Sequence, residues 1–119
     1  MKDFDAAYRE RDRRLRWSIL RLINEGRHSE VAMPGHLIRD TINGLNSGDE
    51  LADDSHVISL LRDLENAGYI TTVDNRKFES QRFAPNHLLC RITARGTRFV
   101  AGGEPTDVLI GDGRIIREK

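Results

Sequence analysis

Ser55, Ser59, Arg62 and Asn66 recur at spacings of three and four. That spacing sets them in one row along a helix, with His56 and Asp63 on its edge. Hydroxyls, an amide and a guanidinium are groups that can read base edges: arginine pairs with guanine, asparagine with adenine, serine with either. A second set, Arg76, Lys77 and Arg82, is interleaved with Phe78 and Phe83 in the stretch DNRKFESQRFAPNH. Cations among aromatic rings suit contact with a phosphate backbone or a minor groove. Each set also has a plainer reading, the first as an ordinary solvated helix face and the second as a soluble hairpin loop.

Other chemistry is weakly signalled. His28, His36, His56 and His87 are scattered, and His87-x-x-Cys90 straddles the entry to a strand, where a spacing of three sends side chains to opposite faces. Cys90 then reads as a small core residue. Gly102-Gly103 and Gly111-x-Gly113 lack the strand-to-helix context and the lysine of a phosphate cradle. No nucleophile stands in a recognisable elbow or beside a plausible base. The expectation is a protein that is not an enzyme and holds neither metal nor cofactor.

The elements that must position the two sets can be read locally. Asp53, Asp54 and Ser55 all suit an N-cap, and Val57, Leu60, Leu61 and Leu64 then form the apolar face of a helix that Gly68 ends. Tyr69–Val73 and Leu88–Ile92 read as antiparallel strands flanking the basic loop, with Leu88, Cys90 and Ile92 on one face. Thr93 caps a short helix over Ala94–Ala101, stopped by Gly102-Gly103.

Upstream, Lys2–Asn24 reads as one long helix ending at Gly26. Phe4, Tyr8, Leu15, Ile19 and Leu22 form its apolar stripe, with Ile23 on the flank. Trp17 and Leu20 lie opposite, and such a second patch needs a second cover: another part of the chain, or a dimer mate. Pro34 suits a first helical turn, and Leu37, Ile38 and Ile42 face the core from a second helix that Gly44 and Gly48 break. Leu51 is the residue expected to pin the link that follows. At the far end, Val108–Ile110 and Arg114–Ile116 flank Gly111-Asp112-Gly113, which predicts a small hairpin docking on helix 1 or on a dimer mate.

The run held by Ser55, Val57, Leu61, Arg62, Leu64, Glu65, Ala67, Gly68, Tyr69 and Ile70 resembles the recognition helix and first wing strand of winged helix-turn-helix proteins. Bacterial regulators of the MarR, ArsR and PadR type share it. Ile92-Thr93-Ala94-Arg95-Gly96 is similar to the family's strand, Thr, x, x, Gly, helix exit from the wing. The link between Asn43 and Asp53 is longer than the family's tight turn. The resemblance implies an α+β, mainly α, fold: three N-terminal helices, a β-hairpin wing, a short fourth helix, and a C-terminal hairpin or extended tail. On that division residues 1–103 are the domain and 104–119 the tail. It implies double-stranded DNA as partner, with Ser55, His56, Ser59, Arg62 and Asn66 on the major groove and Arg76, Lys77 and Arg82 on the backbone or minor groove. It leaves Trp17 and Leu20 for tail or homodimer contact.

At 119 residues there is room for one domain with one core. A hydrophobic content of 38% beside 32% charged residues describes a folded, well-solvated chain rather than a disordered one. No apolar run reaches the roughly 18 to 20 residues of a membrane span, the first residues are charged rather than signal-like, and the single cysteine has no internal mate. A cytoplasmic location without membrane contact is expected. Formal net charge is zero, yet Arg9–Arg21 carries six arginines against Glu10 and Asp12, whereas Asp49–Ile70 carries six carboxylates against Arg62. Neutrality favours a protein-binding module and the resemblance favours a transcriptional regulator; both readings stay open.

Overall fold

The computed structural model describes residues 2–45, 51–78 and 80–110, with side chains from residue 10 onward. The chain is α+β and mainly helical. Its elements are α1 (Lys2–Glu25), β1 (Met33–Pro34), α2 (Gly35–Leu45), α3 (Asp54–Asn66), β2 (Ile70–Asp74), a 3-10 turn (Pro85–His87), β3 (Leu88–Ile92) and α4 (Ala94–Ala101). The three strands form one antiparallel sheet in the order β1-β3-β2. Ile70 faces Ile92 and Asp74 faces Leu88 in the hairpin, and Met33 faces Cys90 on the other side of β3.

α1 contributes Leu15, Ile19, Leu20 and Ile23 to the core, with Leu22 only partly covered. The buried face is therefore wider than the expected stripe and turned toward Leu20, because α1 packs against both α3 and α4. Trp17, on the flank, meets Phe99 of α4 edge-on at 6.1 Å. The second apolar patch is thus covered within the chain. Phe4 and Tyr8, the start of the expected stripe, have side chains outside the described residues.

Strand β1 was not foreseen. Pro34 lies in it rather than in the first turn of α2, a position open to proline because an edge strand leaves one side of its backbone unpaired. Gly35 then passes so close to the Pro85 carbonyl that a Cβ would sit 2.5 Å from its oxygen. In α2, Ile38 and Ile42 are fully buried, whereas Leu37, expected in the core, is 48% exposed. Gly35, Ile38 and Ile42 set the inward face by their three- and four-residue spacing, and Leu37 lies a hundred degrees round from Ile38.

The link to α3 is held by Ala52 and not by Leu51, which stays exposed. The Asn43 side chain donates to the Ala52 carbonyl at 3.1 Å and accepts from its N–H at 2.9 Å, reproducing a backbone pairing. α3 forms as its sequence predicts. Asp53 caps it by accepting from the His56 N–H, and Val57, Leu60, Leu61 and Leu64 are buried. Gly68 turns the chain out at φ 88°, a left-handed conformation that glycine adopts without a Cβ penalty.

β2 starts at Ile70, one residue later than expected, because Tyr69 sits in the bend with its ring 5.0 Å from Phe99. Thr93 accepts from the Gly96 N–H and donates back to the Tyr69 and Gly68 carbonyls. Gly96 lies against the Tyr69 carbonyl oxygen with no room for a Cβ. Beyond α4 the tail folds back on the body. Tyr69 donates to Asp107 at 2.6 Å, Arg16 donates to the Leu109 carbonyl at 3.0 Å, and Ile110 is fully buried. Val108–Ile110 forms a turn, not the expected strand, closed by the Ile110 N–H on the Asp107 carbonyl. The second arm of the expected hairpin lies outside the described residues.

Candidate nucleic-acid interface

The capped, apolar-faced α3 turns Ser55, Ser59, Arg62 and Asn66 away from the core, and all four are exposed. His56 does not join them. Its Nε2 lies 2.8 Å from Asp12 Oδ1 on α1, and both side chains are mostly covered, at 15% and 16% exposure. Two turns along α3's inner edge, Arg16 of α1 holds Asp63 through two nitrogens, at 2.8 and 3.2 Å. His56 is therefore part of the α1–α3 junction rather than of the outward row. Its place on the helix edge was legible in the sequence; the partner came from an element 44 residues away.

The loop between β2 and β3 is anchored by Arg76. Its guanidinium grips both carboxylate oxygens of Asp74 at 2.7 to 3.1 Å and donates to the Gln81 carbonyl across the loop at 3.1 Å. The same guanidinium lies 4.7 Å from the centre of the Phe83 ring. Arg62 approaches that ring from α3, at 5.8 Å, while donating to Glu65 at 3.0 Å and to Thr72 at 3.2 Å. Phe83 is half-buried against the core and is flanked by the His87 ring. Lys77 and Arg82 are exposed on the same loop. The structure thus brings Arg62 together with Arg76, through a phenylalanine that the sequence marked only as one aromatic among basic residues.

The carboxylates of α3 have internal partners. Asp53 caps the helix, Asp54 pairs with Arg39 at 2.7 Å, Asp63 pairs with Arg16, and Glu65 accepts from Arg62 and from both the N–H and hydroxyl of Thr72. Burial opposes ionisation of Glu65, but the hydrogen bonds from Thr72 and Arg62 outweigh it and hold its pKa below the usual carboxylate value. Arg76 holds Asp74 below its ordinary value in the same way. Asp49 and Glu50, also counted in the acidic stretch, lie outside the described residues. The basic half of α1 is similarly engaged: Arg13 pairs with Glu10 at 2.7 Å, and Arg21 lies over Trp17 at 5.8 Å.

Cys90 is buried in β3, and that burial pushes its thiol up to about 12, so it is a poor nucleophile. His87 accepts from the Ala84 N–H and lies beside Gln81, shaping the turn before β3. Among the described residues no three of histidine, cysteine, aspartate and glutamate cluster as a metal site would require, and no helix is long and apolar enough to cross a membrane. Comparison with protein-family models, with curated proteins and with solved structures finds no match to this chain.

Proposed function

We propose that this chain is a DNA-binding transcriptional regulator of winged helix type, with α3 entering a major groove and the β2–β3 loop lying on the backbone or minor groove. The observation that carries this reading is the convergence of Arg62, on the outward face of α3, with Arg76, in the basic loop, at the single ring of Phe83. It joins the helix that exposes Ser55, Ser59 and Asn66 to the loop that exposes Lys77 and Arg82. The acidic residues around α3, which in isolation would repel phosphate, are occupied by Arg39, Arg16, Arg62 and the helix cap.

The zero net charge supports a second reading, a winged-helix module that binds protein and makes no sequence-specific contact with DNA. Fluorescence anisotropy against a randomised duplex library, at low and near-physiological salt, separates the two. The regulator reading expects salt-sensitive binding that an Arg62→Ala, Arg76→Ala double variant weakens. Absence of binding at low salt, where phosphate attraction is strongest, would send the search to protein partners.

A further inference from the structure

We infer that Phe83 is a positioning residue that couples Arg62 to Arg76, so that α3 and the β2–β3 loop engage one duplex as a unit. The inference rests on the DNA-binding reading. Each guanidinium is held on its own segment by a carboxylate, Glu65 for Arg62 and Asp74 for Arg76, donates to a further oxygen, the Thr72 hydroxyl or the Gln81 carbonyl, and lies against the shared ring of Phe83. The carboxylates fix each arginine relative to its own element. Arg62 and Glu65 also reach the hairpin through Thr72, but the ring is where the two guanidiniums meet.

The ring suits this work for two reasons. Its π face attracts a cation within about 6 Å of the centroid, and both guanidiniums lie inside that distance, at 4.7 and 5.8 Å. It is also anchored, packed against the core on one side and flanked by His87 at 6.4 Å. A loop that must be ordered before it can touch DNA loses affinity to that ordering, and a contact that orders it beforehand restores the affinity without touching DNA itself. Asp74 and Glu65 would exchange for backbone phosphate when the duplex arrives, while the ring keeps the two cations in place. An aliphatic side chain could fill the same space against the core but would offer no face to a cation.

The test is a set of Phe83 variants in the full chain, read by duplex binding and by thermal unfolding. Phe83→Leu is expected to bind duplex DNA about 5-fold more weakly, because the two cations are no longer held together before the duplex arrives, and to melt a few degrees lower, because both cation–π contacts are already made in the unbound fold. Phe83→Tyr and Phe83→Trp, which keep a π face, are expected to bind within about 2-fold of the parent. In the parent, Arg62→Ala and Arg76→Ala together should cost less affinity than the product of the two single losses, because either change breaks the unit. In the Phe83→Leu background the two losses should multiply. If the parent binds DNA and Arg62→Ala and Arg76→Ala each weaken it, while Phe83→Leu binds as the parent does, the coupling is refuted and the DNA-binding reading stands. Equal weakening by Leu, Tyr and Trp would refute it as well, since side-chain shape and not the π face would then be at work. A parent chain that binds no DNA at low salt overturns both the reading and the inference.

Discussion

Thr93 and Gly96 do different jobs three residues apart. The threonine hydroxyl caps α4 and ties it to the end of α3, and the glycine lets the helix cross directly over the Tyr69 carbonyl. Gly96→Ala places a methyl group into that carbonyl and the Ile92 side chain. It should cost about 1–3 kcal/mol, as overpacking does, measured by urea unfolding. The cap was legible in the sequence because it constrains residue type locally, and the same holds for Asp53 and Gly68, whereas Gly96 stood only in the motif of the resemblance and the carbonyl that requires it belongs to Tyr69. Leu37, Leu51 and His56 were misplaced because their exposure is decided by what lies opposite, and that is not written nearby in the chain. A second residue-scale consequence concerns alkaline pH. Burial and the hydrogen bond to Asp107 raise Tyr69 from 10.0 to about 12, and burial raises Cys90 from 9.0 to about 12. For a group whose folded pKa is raised, the stabilisation is complete below the unfolded value and lost as pH climbs through the folded one. Unfolding midpoints should therefore fall between pH 9 and 12. Tyr69→Phe should make the fall shallower above pH 10, leaving the share that belongs to Cys90, which runs from pH 9 to 12.

At the scale of elements, the helices were easier to foresee than the strands. α3 and α4 follow from cap, periodicity and glycine stop. The strand β1 is two residues long, shows no alternation, and exists because β3 offers it an edge. The hairpin was recognisable from its β-branched and aromatic runs, with Tyr69 lost to the bend because its ring is needed against Phe99. Of the site, the exposed row on α3 and the basic loop were both legible, but their meeting at Phe83 was not, since it joins residues 62, 76 and 83 from separate segments. The connection between α2 and α3 depends on one amide side chain. Asn43→Ala removes both hydrogen bonds to Ala52 and should destabilise the protein by about 1–2 kcal/mol, whereas Leu51→Ala should be nearly silent because Leu51 is exposed. Paired urea titrations of the two variants would check this, and a larger loss at Leu51 would contradict it.

For the molecule as a whole, zero net charge and a DNA-binding surface are compatible if charge is segregated, and the ion pairs show how it is arranged. Cations of α1 and α2 pair with the acids of α3, and Lys77 and Arg82 are exposed on the β2–β3 loop. A surface built from Arg62, Arg76, Lys77 and Arg82 would displace few counterions. The slope of log affinity against log salt should then be about −3 to −4 for four phosphate contacts. Titration of one duplex across salt concentrations measures it, and a slope near −8 would mean that the arginines of α1 take part.

The pairing of Met33 with Cys90 sets an order on synthesis. α1, β1 and α2 are translated early, yet the strand that aligns β1 comes near the end of the described chain, and Phe99, against which Trp17 rests, comes later still. Contacts so distant along the chain close slowly. On the ribosome the first helices must therefore wait, with Trp17 and Leu20 uncovered, until α4 has emerged. A nascent chain stalled short of residue 90 is expected to lack the protected core of the finished protein, and to be the form of this molecule most exposed to chaperones and proteases.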